Sequence, residues 1–222
     1  MLRYAKTKID HIKVNIIVKA TGQLFIVSAP SGAGKTSLVK ALVAALSDIE
    51  VSVSHTTRAQ RADERPGVDY HFSDVAGFQK IVEQAGFLEH ATVFGNYYGT
   101  SKSLVSETLQ RGVDVILEID WQGAQQVRKT LAGSCSVFIL PPSKAVLEDR
   151  LRGRGQDSDE IIEKRMRVAV DEMSHYEEYD YLVVNDDFEL ALQELRSIVQ
   201  SHRLNVNRSQ VLHAELIGQL LK

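Results

Sequence analysis

The segment "SAPSGAGKTS" at residues 28–37 lies between an apolar run, "LFIVSA", and a helix-compatible run, "KTSLVKALVAAL". It matches the last three positions of the P-loop pattern G-x-x-x-x-G-K-[ST] with Gly34, Lys35 and Thr36, while Ala29 replaces the first glycine. Such a loop directs backbone N–H groups at phosphate oxygens, at the positive end of a helix dipole. The sequence therefore predicts a nucleoside triphosphate site formed by Ala29, Pro30, Ser31, Gly32, Ala33, Gly34, Lys35, Thr36 and Ser37.

A carboxylate at the end of another apolar run supports this prediction. The run "VDVILEID" at 113–120 is typical of a buried strand and ends in Asp120. In P-loop enzymes an aspartate at such a strand end positions Mg²⁺ or its water. Asp120 and the Thr36 hydroxyl are therefore the predicted metal ligands, directly or through water.

The segment "SHTTRAQRADERPGVDYHF" at 54–72 is the second place where side chains suit phosphate. Arg58 and Arg61 are three residues apart and follow the hydroxyl of Ser54. Paired guanidinium groups bind a phosphate dianion in bidentate fashion, and the hydroxyls of Tyr70 and Tyr98 could join them. A solvated loop with salt bridges is the alternative, and it would be favoured for any one of these arginines alone.

Strand-like and helix-like runs alternate along most of the chain. Continuous apolar runs lie at 24–29, 113–120, 135–140 and 181–185, with helix-compatible segments between them. This pattern predicts an α/β fold in which a parallel sheet has helices on both faces. Residues 22–52, 104–143 and 168–222 are assigned to this core.

Two segments interrupt the alternation. Residues 53–103 contain short, polar and aromatic runs with glycines between them, which predict a small and partly antiparallel inserted subdomain. Residues 144–167 are dense in charge around "GRG", which predicts a helical pair with a flexible tip, suited to a lid. Residues 1–21 do not read as a secretory signal, and no role is assigned to them.

Composition excludes several other classes of protein. The chain has 222 residues and a formal charge of −3, whereas binders of nucleic acid or of a membrane surface are usually basic. Its one cysteine, Cys135, allows no internal disulfide and suits a reducing cytoplasm. The seven histidines are scattered without metal-ligand spacing, so we predict no structural metal.

Taken together and in order, the motifs resemble those of bacterial guanylate kinases. The resemblance covers residues 22–212 and is carried by "SAPSGAGKTSL", "VSHTTR", "FLEHATVFGNYYGT", "EIDWQGA", "LRGRG", "KRM" and "VNDDF". It implies a P-loop NTPase-type fold with a GMP-binding subdomain at 53–103 and a lid. It also implies transfer of the γ-phosphoryl group of ATP to GMP with Mg²⁺ as cofactor, in a cytoplasmic enzyme that forms a homo-oligomer.

The resemblance assigns roles to individual residues. The GMP phosphate would be held by Ser54, Arg58, Arg61, Tyr70 and Tyr98, with Glu64 beside them. Guanine would be read by Glu89, Thr100 and Glu118, because a carboxylate offers two acceptors to the N1–H and 2-amino donors. Glu118 stands where aspartate is frequent in the family, and Thr100 where serine is frequent, so both keep their chemistry.

The lid residues complete the implied site. Arg150, Arg154 and Arg165 would close over ATP and, with Lys35 and Arg58, neutralise charge during transfer. Asn185 would meet the adenine end of ATP. No general base is expected, since the attacking phosphate oxygen of GMP is already largely ionised near neutral pH.

Two other functions remain open at this point. Guanylate-kinase-like domains of scaffold proteins bind other proteins and typically have a degraded P-loop, whereas Lys35 and Thr36 are present here. A related P-loop kinase could act on another phosphorylated acceptor, against which Glu89 and the run "GNYYGT" favour guanine.

Overall fold

A computed structural model describes residues 20–93, 95–131, 133–153 and 158–222. Its elements follow in chain order: β1 (Leu24–Ser28), α1 (Lys35–Ala45), β2 (Ile49–Val51), β3 (His55–Thr56), β4 (His71–Phe72), α2 (Val75–Glu83), β5 (Phe87–Val93), β6 (Asn96–Ser101), α3 (Lys102–Gln110), β7 (Asp114–Glu118), α4 (Trp121–Thr130), β8 (Cys135–Leu140), α5 (Lys144–Arg152), α6 (Asp159–Ser174), β9 (Tyr181–Val184), α7 (Phe188–Arg203), α8 (Val206–Leu212) and α9 (Ala214–Leu220).

The larger sheet is parallel, as the alternating runs predict. Its strand order is β2-β7-β1-β8-β9, and each neighbouring pair runs parallel. The four apolar runs of the sequence correspond to β1, β7, β8 and β9. The edge strand β2 adds a fifth, which the sequence did not predict because its three residues include the polar Glu50.

Every residue of the central strand β1 is buried, which shows that the sheet is covered on both faces. Successive side chains of a strand point to opposite faces. Phe25 and Val27 therefore pack on the side of α1 and α7, and Leu24 and Ile26 on the side of α3 and α4. This two-sided core holds the carboxyl ends of the strands at one edge.

A smaller, mixed sheet lies between α1 and α3 in the chain. Its order is β4-β3-β6-β5, with β5–β6 and β3–β6 antiparallel and β3–β4 parallel. Helix α2 packs on it through Phe78, whose ring lies 4.6 Å from that of Phe87. α4 of the core contacts β5, which places this sheet beside the edge of the larger one.

Helices α5 and α6 pack together beside the P-loop. Leu147 and Leu151 of α5 form a small apolar cluster with Ala169 of α6. α6 continues to Ser174, beyond the lid boundary at 167 that the sequence indicates. Arg154, predicted to be catalytic, and the rest of 154–157 lie outside the described residues, as do residues 1–19. Within the described part of the chain, no helix is long and apolar enough to cross a bilayer.

A buried carboxylate attaches the C-terminal helices to the start of β7. Asp114 is fully buried and accepts hydrogen bonds from the Arg203 Nε and the Arg208 Nη1, each at 2.7 Å, and from the Gln23 backbone N–H at 2.8 Å. Removing one partner of a buried ion pair leaves the others with uncompensated charge.

We predict that Asp114→Ala lowers the free energy of unfolding by about 3 kcal/mol, because two guanidinium groups lose their carboxylate. Urea denaturation measures this change. Glu50→Ala is the matched control, since Glu50 pairs with Arg111 at 3.5 Å in an exposed position and should change stability by less than about 1 kcal/mol. Equal effects of the two substitutions would contradict the structural role of Asp114.

Candidate active site

The P-loop begins where β1 ends and is shaped by two glycines with positive φ. Gly32 has φ +95° and Gly34 has φ +94°, a conformation that favours glycine. α1 starts immediately afterwards, and no side chain caps its N-terminus. Its first backbone N–H groups therefore remain available for an anion, at the positive end of the helix dipole.

Contacts from two other strand ends hold this loop in place. The buried Asn185, just after β9, donates from Nδ2 to the Ala33 carbonyl at 2.7 Å. A Cβ at Gly34 would lie 2.3 Å from that same nitrogen, so glycine is required there by space as well as by φ. The Ser28 hydroxyl donates to the Ile119 carbonyl at 2.8 Å, which ties the end of β1 to the end of β7. The adenine contact predicted for Asn185 stays a prediction, and here its side chain supports the P-loop.

One cavity of about 440 Å³ unites the P-loop with the smaller sheet. Its walls bring together residues far apart in the sequence: Ala29, Pro30, Ser31, Gly32, Gly34, Lys35, Thr36, Ser37, Ser54, Tyr70, Glu89, Ala91, Val93, Tyr98, Glu118, Ile119, Asp120 and Glu172. Most of the predicted triphosphate residues and part of the predicted acceptor residues thus share a single space. Ala33 of the P-loop is fully buried behind it.

Strand geometry explains the wall formed by the smaller sheet. Side chains two residues apart on a strand share a face, so Glu89, Ala91 and Val93 of β5 all face the cavity. In the antiparallel register Thr100 lies opposite Glu89, and Tyr98 lies opposite Ala91. The sequence reasoning missed Ala91 and Val93, although the alternation that starts at Glu89 would have found them.

Glu89 is the most buried carboxylate of the cavity, with 4% of its surface exposed. The Thr100 hydroxyl donates to its Oε1 at 2.6 Å. Burial raises the pKa of Glu89 to about 7, and Asp120 adds to this, while the Thr100 hydrogen bonds act in the opposite direction. Gly123 of α4 leaves room for this carboxylate, because a Cβ there would lie 2.7 Å from Oε2.

The residues predicted to hold a metal lie at the end of β7. The Thr36 hydroxyl donates to the Glu118 Oε2 at 3.0 Å, and the Asp120 Oδ1 accepts from the Gly123 N–H at 2.8 Å and caps α4. Hydroxyl and carboxylate oxygens are the donors that Mg²⁺ prefers, and it usually binds through one or two carboxylates plus substrate phosphates. Thr36 and Asp120 fit that role. The described residues contain no cluster of three or more His, Cys, Asp or Glu that could hold a metal alone.

The predicted phosphate-binding arginines lie beside the cavity rather than on its wall. Arg58 pairs with the Glu64 Oε1 at 2.6 Å, and its guanidinium lies 5.3 Å from the centre of the Tyr70 ring. The other carboxylate oxygen of Glu64 accepts from the backbone N–H of Arg61 at 2.9 Å. Glu64 therefore organises the loop that carries both arginines, and the Arg61 side chain is exposed.

The lid arginines differ in their surroundings. The Arg150 Nη2 donates to the Asn185 carbonyl at 3.1 Å, and its Nη1 is buried without a hydrogen-bond partner among the described residues. Arg165 is half-buried on α6. Glu172 lines the cavity but was not predicted, although it lies seven residues after Arg165 and hence on the same helix face.

The fold is that of a P-loop NTPase-type protein, and residues predicted to bind a triphosphate and a phosphate acceptor line one cavity. The family model for guanylate kinase matches residues 21–202. The chain belongs to the guanylate kinase family.

Similar proteins agree with this assignment. The chain is 59% identical over 200 residues to the guanylate kinase of Methylococcus capsulatus, covering 90% of this chain and 98% of that protein. It is 59% identical over 201 residues to that of Saccharophagus degradans, with the same coverage. The crystal structure of guanylate kinase from Anaplasma phagocytophilum matches with a TM-score of 0.72 and 31% identity, covering 89% of this chain and 97% of that one.

These findings confirm the fold class, the family resemblance and the reaction predicted from the motifs. The protein is an ATP:GMP phosphotransferase, which converts ATP and GMP to ADP and GDP. The roles predicted for single residues stay predictions.

The buried Glu89 predicts a pH-dependent stability. Its pKa rises from 4.5 in the unfolded chain to about 7 in the folded protein. Between these pH values the folded protein keeps a proton that the unfolded chain has released. The contribution of Glu89 to stability is therefore full below pH 4.5 and falls by about 3 kcal/mol as the pH rises to about 7.

The substitution Glu89→Gln removes this titration. We expect the free energy of unfolding of the variant, relative to the wild type, to increase steadily between pH 4.5 and about 7 and then to level off. Urea denaturation across this range measures the difference. Glu83→Gln is the control for the glutamate-to-glutamine change itself, because Glu83 is exposed. If the difference in the free energy of unfolding between Glu89→Gln and the wild type did not change with pH, burial would not raise the pKa of this carboxyl.

Proposed function

We propose that the cavity binds both nucleotides at once, with the triphosphate of ATP on the P-loop and GMP against the smaller sheet. The single observation that supports this is the shared wall: Lys35 and Thr36 line the same cavity as Glu89 and Tyr98. A phosphoryl group can pass directly between two nucleotides only if both sites open into one space.

Guanine recognition is assigned to Glu89. Its ionised carboxylate offers two acceptors to the adjacent N1–H and 2-amino donors of guanine, and adenine lacks this pair of donors. The Thr100 hydroxyl holds the carboxylate from behind, and Glu118 completes the base pocket from the end of β7. Buried polar groups left unpaired by a wrong base give strong discrimination.

The phosphate of GMP is assigned to Ser54, Tyr70 and Tyr98 on the cavity wall, with Arg58 and Arg61 approaching from their loop. Arg58 is partly neutralised by Glu64 in this structure. A dianionic phosphate competes for the same guanidinium, since charge-assisted and bidentate hydrogen bonds are the strongest available to it.

Transfer requires alignment and charge neutralisation rather than a general base. Lys35 and the arginines at positions 58, 150, 154 and 165 supply positive charge around the transferred group. Arg150 is bonded to the Asn185 carbonyl, so its guanidinium must turn toward the nucleotides. Residues 144–167 act as the lid that excludes water, residues 53–103 as the GMP-binding subdomain, and the remaining sheet as the core.

Mg²⁺ is the proposed cofactor, and Thr36 and Asp120 are the residues that would hold it. When bound, it neutralises charge on the outer phosphates of ATP. Asp120 also caps α4, and this hydrogen bond fixes the orientation of its carboxylate.

The cytoplasm is the proposed location, because the single cysteine, Cys135, allows no internal disulfide and so suits a reducing compartment. A homo-oligomer is proposed on the family resemblance alone. ATP and GMP are the proposed partners, without nucleic acid or membrane.

A coupled ADP-release assay with ATP and Mg²⁺ tests the assignment of Glu89. Wild-type protein should turn over GMP in strong preference to AMP, CMP and UMP. Glu89→Gln should lower kcat/KM for GMP by about 100-fold or more, with a much smaller change in KM for ATP, because only guanine loses a hydrogen-bonding partner. Glu83→Gln, an exposed change in the same subdomain, should leave the kinetics unaltered. An unchanged preference for GMP in Glu89→Gln would refute the assignment.

Gly123→Ala tests whether the position of the Glu89 carboxylate matters for GMP binding. The new methyl group would meet the Glu89 carboxylate at 2.7 Å and displace it, although alanine favours a helix. We expect the KM for GMP to rise by about tenfold, as a misplaced hydrogen-bond acceptor costs about 1–3 kcal/mol. Gly218→Ala, in α9 with open space around it, is the control for the glycine-to-alanine change. Equal KM values in both variants would argue against close contact between Gly123 and Glu89.

A further inference from the structure

Glu172 lies in the last turn of α6 and lines the cavity, although no motif assigned it a role. Its Oε2 atom is buried and has no hydrogen-bond partner among the described residues. Burial raises the pKa of this carboxyl; Lys35 and the Ser31 N–H lower it, whereas Asp120 raises it. Glu172 therefore lies close to both the P-loop and the strand end with Asp120, at the phosphate end of the cavity.

Packing holds the base of α6 in this position. Ala169, three residues before Glu172, is buried against α5. His175, immediately after the helix, stacks on Trp121 with ring centres 3.7 Å apart and planes at 10°. Since Trp121 follows Asp120 directly, the end of α6 is attached to the same strand edge that forms the site. These contacts thus fix the backbone that carries Glu172 beside the cavity.

The charges on the cavity wall are unbalanced at this end. Among the described wall residues, carboxylates belong to Glu89, Glu118, Asp120 and Glu172, and Lys35 carries the ammonium. The first three accept hydrogen bonds from Thr100, Thr36 and the Gly123 N–H, respectively. The buried Oε2 of Glu172 has no such partner. Glu172 therefore places a carboxyl group, with one oxygen unpartnered among the described residues, beside the P-loop, where the triphosphate is proposed to bind.

Metal-free ATP carries more negative charge than ATP with Mg²⁺ bound. Like charges repel strongly in a partly buried site, where water screens them poorly. Repulsion from Glu172 must therefore be greater for metal-free ATP than for the magnesium complex.

We propose that Glu172 is a specificity-determining residue that makes the ATP site selective for the magnesium-bound nucleotide by repelling metal-free triphosphate. The inference rests on the proposed function, because it requires the triphosphate on the P-loop and Mg²⁺ beside Asp120. Glu172 itself need touch none of the reacting atoms.

Binding of ATP, measured by isothermal titration calorimetry with EDTA or with excess Mg²⁺ and without GMP, tests this proposal. The titrations are made at about pH 8, because burial raises the pKa of Glu172 and a higher pH favours its ionised form. Glu172→Gln keeps the shape and removes the charge, so the Kd of metal-free ATP should fall about tenfold, while that of magnesium-bound ATP changes by less than about threefold. Glu172→Ala should also lower the Kd of metal-free ATP, because it removes the same charge. Glu172→Gln should not lower the melting temperature, because it removes a buried ionisable group, and both variants should keep the GMP affinity to within about twofold.

Glu163→Gln is the matched control, because it removes one exposed negative charge from the same helix. It should leave the ratio of the two Kd values unchanged. An unchanged ratio in Glu172→Gln, or equal weakening of both forms of ATP, would overturn the proposal. Wild-type protein that binds both forms equally well would contradict both the proposal and the proposed metal site, whereas a wild-type preference that persists in Glu172→Gln would overturn the proposal alone.

Discussion

The active site depends on one constraint, that the strands of the larger sheet run parallel and end at the same edge. The P-loop follows β1, Asp120 follows β7 and Asn185 follows β9. The hydrogen bond from the Ser28 hydroxyl to the Ile119 carbonyl joins the ends of β1 and β7. Asn185 holds the P-loop through its hydrogen bond to the Ala33 carbonyl. Every other feature of the site is arranged around this edge, because both the smaller sheet and α6 are attached to it.

Charge is distributed unevenly around this edge. The cavity wall is rich in carboxylates, whereas Arg58 and Arg150, two of the arginines proposed to neutralise phosphate, are not part of the wall and already have protein partners. Arg58 is bonded to Glu64, and Arg150 is bonded to the Asn185 carbonyl. Carboxyl groups thus lie on the cavity wall, and these two guanidinium groups lie on the loop and the helix beside it. In the proposed function, these parts reorganise to neutralise two anionic nucleotides, and nucleotide binding is thereby coupled to closure.

Burial of the Glu89 carboxyl group in the cavity lowers the stability of the fold. A carboxylate at 4% exposure costs stability once it ionises, and its raised pKa expresses that cost. The same burial makes it a fixed acceptor that a matching base can pair with in the absence of competing water. Asp114 is a buried carboxylate with the opposite effect, because hydrogen bonds from two arginines and a backbone N–H stabilise its charge and so stabilise the fold.

Local features of this protein were determined by consecutive residues, and contacts between distant residues were decided by the tertiary structure. Spacing within 28–37 predicted the P-loop, and the apolar run 135–140 predicted β8, because such backbone conformations depend on neighbouring residues. The bond between Thr36 and Glu118, 82 positions apart, was not predictable, and neither were the fit of Gly123 against Glu89 and the place of Glu172 beside the P-loop. Such proximity arises only when strands and helices pack, and the residue patterns along a single sequence do not show the distances between separate elements.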